Sequence, residues 1–290
     1  AARPASMAGS GQEPDMSQTW DSNTPPVYPP ITFAGWLRIF VRASALFVLV
    51  FGGLAILLLV RLIERPLYRL HRPVTPHITQ FVCRWSLRIL GIAFCPSGTP
   101  MQGRGAVVAN HSSWLDIFAL NAAKRAYFVS KSEVANWPGI GWLARATGTV
   151  FIERNPARAK EQTHLFQNRL LAGHKLLFFP EGTSTDGLQV IPFKTTLFQA
   201  FFAAELKEKI AVQPVTVTYH APIGAEQRFY GWWGDTSFGA HLLVTLAPAK
   251  QGRIDVIYHE PLRVADYPNR KALAQACEEA VRAGHVSSRG

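Results

Sequence analysis

From Ala43 to Val60 the chain reads ASALFVLVFGGLAILLLV, 18 positions without a charged side chain. At about 1.5 Å per helical residue, this run nearly covers a hydrocarbon core of roughly 30 Å and predicts a membrane helix. A signal peptide fits poorly, because 42 residues precede the run and RLIERPLYRLHRP follows it in place of a small-residue cleavage site. A buried core helix fits poorly too, given the length and the missing polar face. Phe33, Trp36 and Tyr68 flank the run where interfacial aromatics belong. Arg61, Arg65, Arg69 and Arg72 follow it, against Arg38 and Arg42 before it. By the positive-inside rule the chain beyond Val60 lies in the cytoplasm. A helix that dips into one leaflet without crossing it stays open as an alternative.

Residues 1–30 show little apolar periodicity and end in SNTPPVYPP, which predicts an extended or disordered tail. The anchor helix and its basic flank occupy 31–72, and an amphipathic connecting segment 73–104. Within the latter, residues 76–94 set Arg84 and Arg88 among Phe81, Trp85, Leu87 and Leu90. That pattern suits a helix lying at a membrane surface, and equally one packed on the following domain. From 105 to 290, strand-like stretches (106–109, 127–130, 149–152, 175–179, 212–219, 254–258) alternate with helical ones near 113–123, 139–147, 156–172, 194–207, 237–247 and 269–283. The alternation predicts an α/β domain, a mixed sheet covered by helices.

Composition narrows the partners. The net charge of +11 suits an anionic membrane surface, an acidic substrate or nucleic acid. Three cysteines, Cys83, Cys95 and Cys277, give neither a disulfide framework nor zinc spacing. With no H-E-x-x-H and no Cys/His or carboxylate cluster, no metal is expected.

The stretch VVANHSSWLDIF (Val107 to Phe118) joins a strand to a helix and sets His111 five residues before Asp116. Those side chains meet only if His111 lies in the turn and Asp116 in the first helical turn. Ser113 and Asp116 match an S-x-x-D capping pattern that places the helix start at Ser113. Two readings follow. Asp116 is a capping carboxylate near the helix dipole, or it orients His111 as a general base. A nucleophilic Ser112 or Ser113 is the rival mechanism, but neither sits in a G-x-S-x-G elbow.

Further blocks follow in order: GTVFIER (Gly148–Arg154), FFPEGTSTDG (Phe178–Gly187), VIPFKTTLF (Val190–Phe198) and VQPVTV (Val212–Val217). NHSSWLD, GTVFIER, FPEGTSTDG and VQPVTV, in this order, resemble the glycerolipid acyltransferase family typified by bacterial 1-acyl-glycerol-3-phosphate acyltransferase. The resemblance spans about residues 105–220. It implies that His111 is the base, Asp116 its partner, Arg154 an acceptor-phosphate arginine, and Glu181, Gly182 and Thr183 acceptor-site residues. Lys131 and Lys194 are candidate substrate contacts or ordinary surface lysines. The family's FPEGTR block here carries Ser184 in place of arginine, so a bidentate phosphate clamp is missing. FYGWWGDTSFGAHLL (Phe229–Leu243) is similar to a branch that includes lyso-ornithine-lipid acyltransferases.

The resemblance implies an acyl transfer from an acyl carrier protein or coenzyme A thioester to a lysolipid hydroxyl. The acceptor expected first is 1-acyl-glycerol-3-phosphate, giving phosphatidate, and lyso-ornithine lipid is the alternative. It implies membrane lipids as partners, no nucleic acid, no cofactor beyond the thioester, and the cytoplasmic side of a bacterial inner membrane. Oxyanion donors are expected among backbone N–H groups beside the dyad. A lipid hydrolase and a non-catalytic basic membrane binder are the rival classes. The first lacks its nucleophile elbow, and the second leaves the ordered blocks unexplained.

Overall fold

The computed structural model describes residues 20–153 except 23 and 25, and residues 159–289. The apolar run lies inside one long helix, α1 (Phe33–Tyr68), which Thr32 starts by accepting the Gly35 N–H on its side chain. Phe40, Val48, Leu59 and Leu62 are among its many exposed apolar residues. The turn that follows leads into α2 (Thr75–Leu90), which runs back against α1. Gly53 is the close-approach point: a Cβ there would come within 2.5 Å of Val82 Cγ2. A lone carboxylate within α1, the buried Glu64, accepts from the N–H groups of Val74 and Thr75 and from the Thr75 hydroxyl. It thereby satisfies donors that the start of α2 would leave orphaned.

The segment expected as a connector thus supplies α2, and it also supplies a strand, β1 (Ala93–Gly98). The remaining strands are β2 (Gly105–Ala109), β3 (Tyr127–Lys131), β4 (Val150–Ile152), β5 (Leu176–Phe178), β6 (Ala211–His220), β7 (Arg253–Tyr258) and β8 (Leu262–Arg263). Their order is β1-β7-β6-β2-β5-β3-β4, with β8 beside β6. Pairing is parallel except at β6–β7 and β6–β8, so the sheet is mixed.

Helices α3 (Asp116–Ala123), α4 (Ile140–Thr147), α5 (Ala159–Leu171), α6 (Ala204–Lys207), α7 (Phe238–Leu246) and α8 (Arg270–Arg289) complete the domain. Strand β2 shows why both faces need cover. Val107 and Ala109 join one core with Leu87, Leu90, Leu115 and Leu120, while Ala106 and Val108 join the other with Phe166, Leu170, Leu273 and Val281. Alternate side chains of a buried central strand feed two separate cores.

Three expectations change. The helix near 194–207 is a 3-10 stretch, Leu197–Phe202, and then the short α6. Phe198 and Phe201 are both fully buried, and their spacing suits a three-residue turn that turns both rings inward. Helix α3 begins at Asp116, not Ser113, preceded by a turn in which the Ser113 carbonyl accepts the Asp116 N–H. The described part of the Pro-rich tail is extended but packed: Tyr28 sets its ring edge-on to Phe229 and His241.

Helix α1 grips the domain at both ends. Near its start, Arg38 donates to the Ala247 carbonyl and Arg42 to the carbonyls of Leu246 and Pro248, each at 2.7 Å. These bonds satisfy acceptors left open where α7 ends. Just past its far end, Arg72 donates to the Ala146 carbonyl of α4 at 2.8 Å.

Candidate active site

Strands β2, β3, β4, β5 and β6 run parallel, so the loops after them open on one edge of the sheet, where α/β sheets bind ligands. The loop after β2 is pinned first by Asn110. Its side-chain amide donates to the Val217 carbonyl and accepts the Val217 N–H, both at 2.8 Å, extending the ladder to β6. This fixes the backbone just before His111.

Asp116 then organises the turn. It is fully buried, and its Oδ2 accepts from His111 Nδ1 at 2.7 Å, Ser112 N–H at 2.9 Å and Ser113 N–H at 3.1 Å. Its Oδ1 accepts the Tyr219 hydroxyl at 2.5 Å. The capping and the dyad readings therefore hold together in one carboxylate. The oxygen facing Nδ1 already accepts two backbone hydrogens, so the shared hydrogen belongs to Nδ1, and in the neutral ring the lone pair lies on Nε2. The ring stacks on Phe179 with centroids 4.1 Å apart and planes 11° apart, and its side chain is 22% exposed. A rigid, partly open imidazole whose Nε2 has no hydrogen bond among the described residues suits a general base.

Neither serine joins this pair. The Ser113 hydroxyl accepts the Leu115 N–H, and among the described residues no hydrogen bond links Ser112 Oγ or Ser113 Oγ to His111. The N–H groups of residues 111–113 are all taken by carboxylates, so they are not the oxyanion donors expected beside the dyad.

The FPEG block turns tightly after β5. Gly182 donates its N–H back to the Phe179 carbonyl at φ +73°, a conformation that favours glycine. Glu181, expected among the acceptor contacts, is a brace instead. It is fully buried, with one oxygen accepting the His111 N–H at 2.6 Å and the other the Ile191 N–H at 2.9 Å. Burial pushes its carboxyl up to about 8, with the nearby Asp116 adding to the rise and the two N–H donors opposing it.

Of the other expected residues, Lys194 lies over the turn, its Nζ 3.0 Å from where a Gly182 Cβ would sit. Thr183 is half-buried in the same turn, and Lys131 ends β3 on the same sheet edge. Arg154 falls outside the described residues.

Several contributors are not among the expected site residues, though Phe179, Trp114, Trp232 and His241 lie inside the sequence motifs. Tyr219 and Phe179 touch the dyad directly. The segment similar to the ornithine-lipid branch is also stitched in: Trp232 N–H donates to the Ser112 carbonyl at 2.8 Å, and Trp114 Nε1 donates to His241 Nδ1 at 2.8 Å. Burial pushes the His241 imidazole down to about 4, which keeps it neutral and able to accept. No group of three His, Cys, Asp or Glu side chains among the described residues is placed to hold a metal ion.

Residues 93–218 match the family model described as Acyltransferase. A lyso-ornithine lipid O-acyltransferase of Rhodobacter capsulatus is 57% identical over 265 residues, covering 91% of this chain and 96% of the relative. A 1-acyl-sn-glycerol-3-phosphate acyltransferase of Neisseria gonorrhoeae is 34% identical over 178 residues, 61% of this chain and 68% of that protein. The crystal structure of the 1-acyl-sn-glycerophosphate acyltransferase PlsC from Thermotoga maritima shares the fold. The TM-score is 0.62 at 20% identity, over 88% of this chain and 96% of that one. The matched stretch runs from β1 into β6 and encloses His111, Asp116 and the FPEG turn; with a relative alike over nearly its whole length, the chain belongs to the glycerolipid acyltransferase family and is a lysolipid acyltransferase.

Proposed function

We propose that this enzyme moves a fatty acyl group from an acyl carrier protein or coenzyme A thioester to the free hydroxyl of lyso-ornithine lipid. The observation that carries the chemistry is the buried Asp116 holding His111 Nδ1 while Nε2 stays open. Nε2 takes the hydroxyl proton as the oxygen attacks the thioester carbonyl carbon. The tetrahedral intermediate collapses, the carbon–sulfur bond breaks, and the thiolate recovers the proton from Nε2. Asp116 stabilises the imidazolium between these steps, and no covalent acyl-enzyme forms.

The acceptor assignment rests on the 57% identity to the Rhodobacter capsulatus protein and on Ser184, a hydroxyl where a phosphate-clamping guanidinium is usual. The zwitterionic ornithine headgroup has no phosphate to clamp. The phosphate acceptor read first from the motifs thereby becomes the second choice.

The protein associates with the membrane through α1. A helix whose two ends grip one domain does not carry those ends to opposite sides of a bilayer. This supports an α1 lying in the cytoplasmic leaflet, its exposed apolar face among acyl chains, with Arg38 and Arg42 on the same side as Arg72. The charge asymmetry across the apolar run then records contacts to α7 and α4, not a crossing.

The test is acylation by membranes supplied with labelled acyl thioester and either lyso-ornithine lipid or lysophosphatidate. Wild type should acylate the first acceptor and His111→Ala neither. Preference for lysophosphatidate would sink the acceptor assignment, and equal activity of the two proteins would sink the base.

A further inference from the structure

At the sheet edge opposite His111, a cleft of about 350 Å³ opens between the α1–α2 turn and the starts of β3 and β5. His71, Arg72, His77, Lys124, Arg125 and Lys175 line it, and no carboxylate does among the described residues. Their side-chain bonds go to acceptors other than carboxylates. Lys124 Nζ reaches Gln102 Oε1 at 3.3 Å, Lys175 Nζ the Gln102 carbonyl at 3.1 Å, and Arg125 a ring nitrogen of His77. Glu64, whose charge acts on Arg72, is committed to Arg61, Thr75 and the start of α2. Beneath lies His174, 4% exposed, its ring tilted against that of Tyr127 with centroids 4.5 Å apart. Four cations thus share one concavity with no carboxylate among its described lining residues, an arrangement that an anion stabilises.

The chain on either side of His71 and Arg72 points to the kind of anion. Leu67, Tyr68, Leu70 and Val74, at the end of α1 and in the turn after it, are 67%, 51%, 53% and 49% exposed. A cationic hollow bordered by bare apolar side chains, at the end of a helix that lies in a leaflet, matches a charged head on a hydrocarbon tail. We propose that this cleft binds the phosphate of an anionic membrane phospholipid, as a site separate from the one where acyl transfer occurs. Helix α3 separates the two, with Asp116 at its start and Lys124 just past its end, about 12 Å of helix apart. A lipid held there would fix the turn end of α1 at headgroup level without entering the reaction. The inference takes from the proposed function only the placement of α1 in the leaflet.

Native mass spectrometry of the full-length protein in detergent, titrated with phosphatidylglycerol or phosphatidylcholine, tests it. Wild type should retain phosphatidylglycerol in preference, and His111→Ala should retain it equally while losing acyl transfer, which separates this site from the catalytic reading. Lys124→Gln/Arg125→Gln should weaken retention about fivefold per cation removed, with unchanged thermal unfolding. Lys207→Gln/Lys209→Gln, elsewhere on the surface, should leave it intact. Equal losses in the two double variants would overturn the site in favour of general surface charge. Displacement of phosphatidylglycerol by an equal concentration of inorganic phosphate would overturn the lipid as its source. So would retention of an acidic acyl carrier protein, in place of lipid, by the same residues.

Discussion

Tyr219 donates its hydroxyl hydrogen to the Asp116 oxygen that His111 leaves unused. Burial and then the Asp116 charge hold the phenol well above its ordinary range, so it serves as a fixed donor. Tyr219→Phe leaves that oxygen buried with no donor. We expect a loss of about 1–3 kcal/mol of stability and roughly a tenfold fall in kcat with KM little changed. Steady-state acylation and thermal unfolding in detergent measure both, and an unchanged kcat would reduce Tyr219 to packing.

Asp116→Asn should cost more. An amide sets N–H against one of its present donors and removes the charge that keeps the His111 hydrogen on Nδ1. Acyl transfer is expected to fall about 10³- to 10⁴-fold. Adding His111→Ala should lower the rate little further, because residues that act as a unit are not additive. Additive losses in that double variant would contradict the dyad.

Two buried groups give stability a pH profile with two limbs. Glu181 is pushed up to about 8 from 4.5, so the native state binds its proton more tightly and folding takes one up between those values. Its contribution is greatest below about 4.5 and declines as pH rises toward about 8. His241 is pushed down from 6.5 to about 4, so its contribution is lost as pH falls through that window. Unfolding temperatures across pH should show both declines, and Glu181→Gln should flatten the upper one alone.

If α1 lies in one leaflet, its two ends face the same compartment. In a Cys95→Ser background, which removes the exposed thiol and keeps the buried Cys83 and Cys277, single cysteines replacing Phe33 or Tyr68 test this. A membrane-impermeant maleimide should label both in inverted vesicles and neither in intact cells. Labelling of one end from each side would establish a crossing.

The dyad was legible because its spacing is local: five residues admit contact only across a turn, and Ser113 marked that turn. Tyr219 was not, since it sits 103 positions from Asp116, and in a buried strand a tyrosine reads as packing. Glu181 was legible as a site residue but not in its role, because a motif names a carboxylate without saying which donors surround it. Strand β1 escaped notice for a physical reason. Its AFCPSG carries Pro96 and Gly98, weak strand formers that an edge position tolerates, and its pairing with β7 lies about 160 residues away. The apolar run gave α1 plainly, whereas the grip of Arg38 and Arg42 on α7 depends on carbonyls some 200 positions later.

That grip has a kinetic consequence. If α1, clamped along the domain, lies in the leaflet as proposed, the fold sets the depth of His111 relative to the bilayer, and a lysolipid reaches it by lateral diffusion without leaving that leaflet. The rate should follow the mole fraction of lysolipid in the surface and be insensitive to its bulk concentration. Adding inert lipid at constant total lysolipid would then slow the enzyme by dilution in two dimensions.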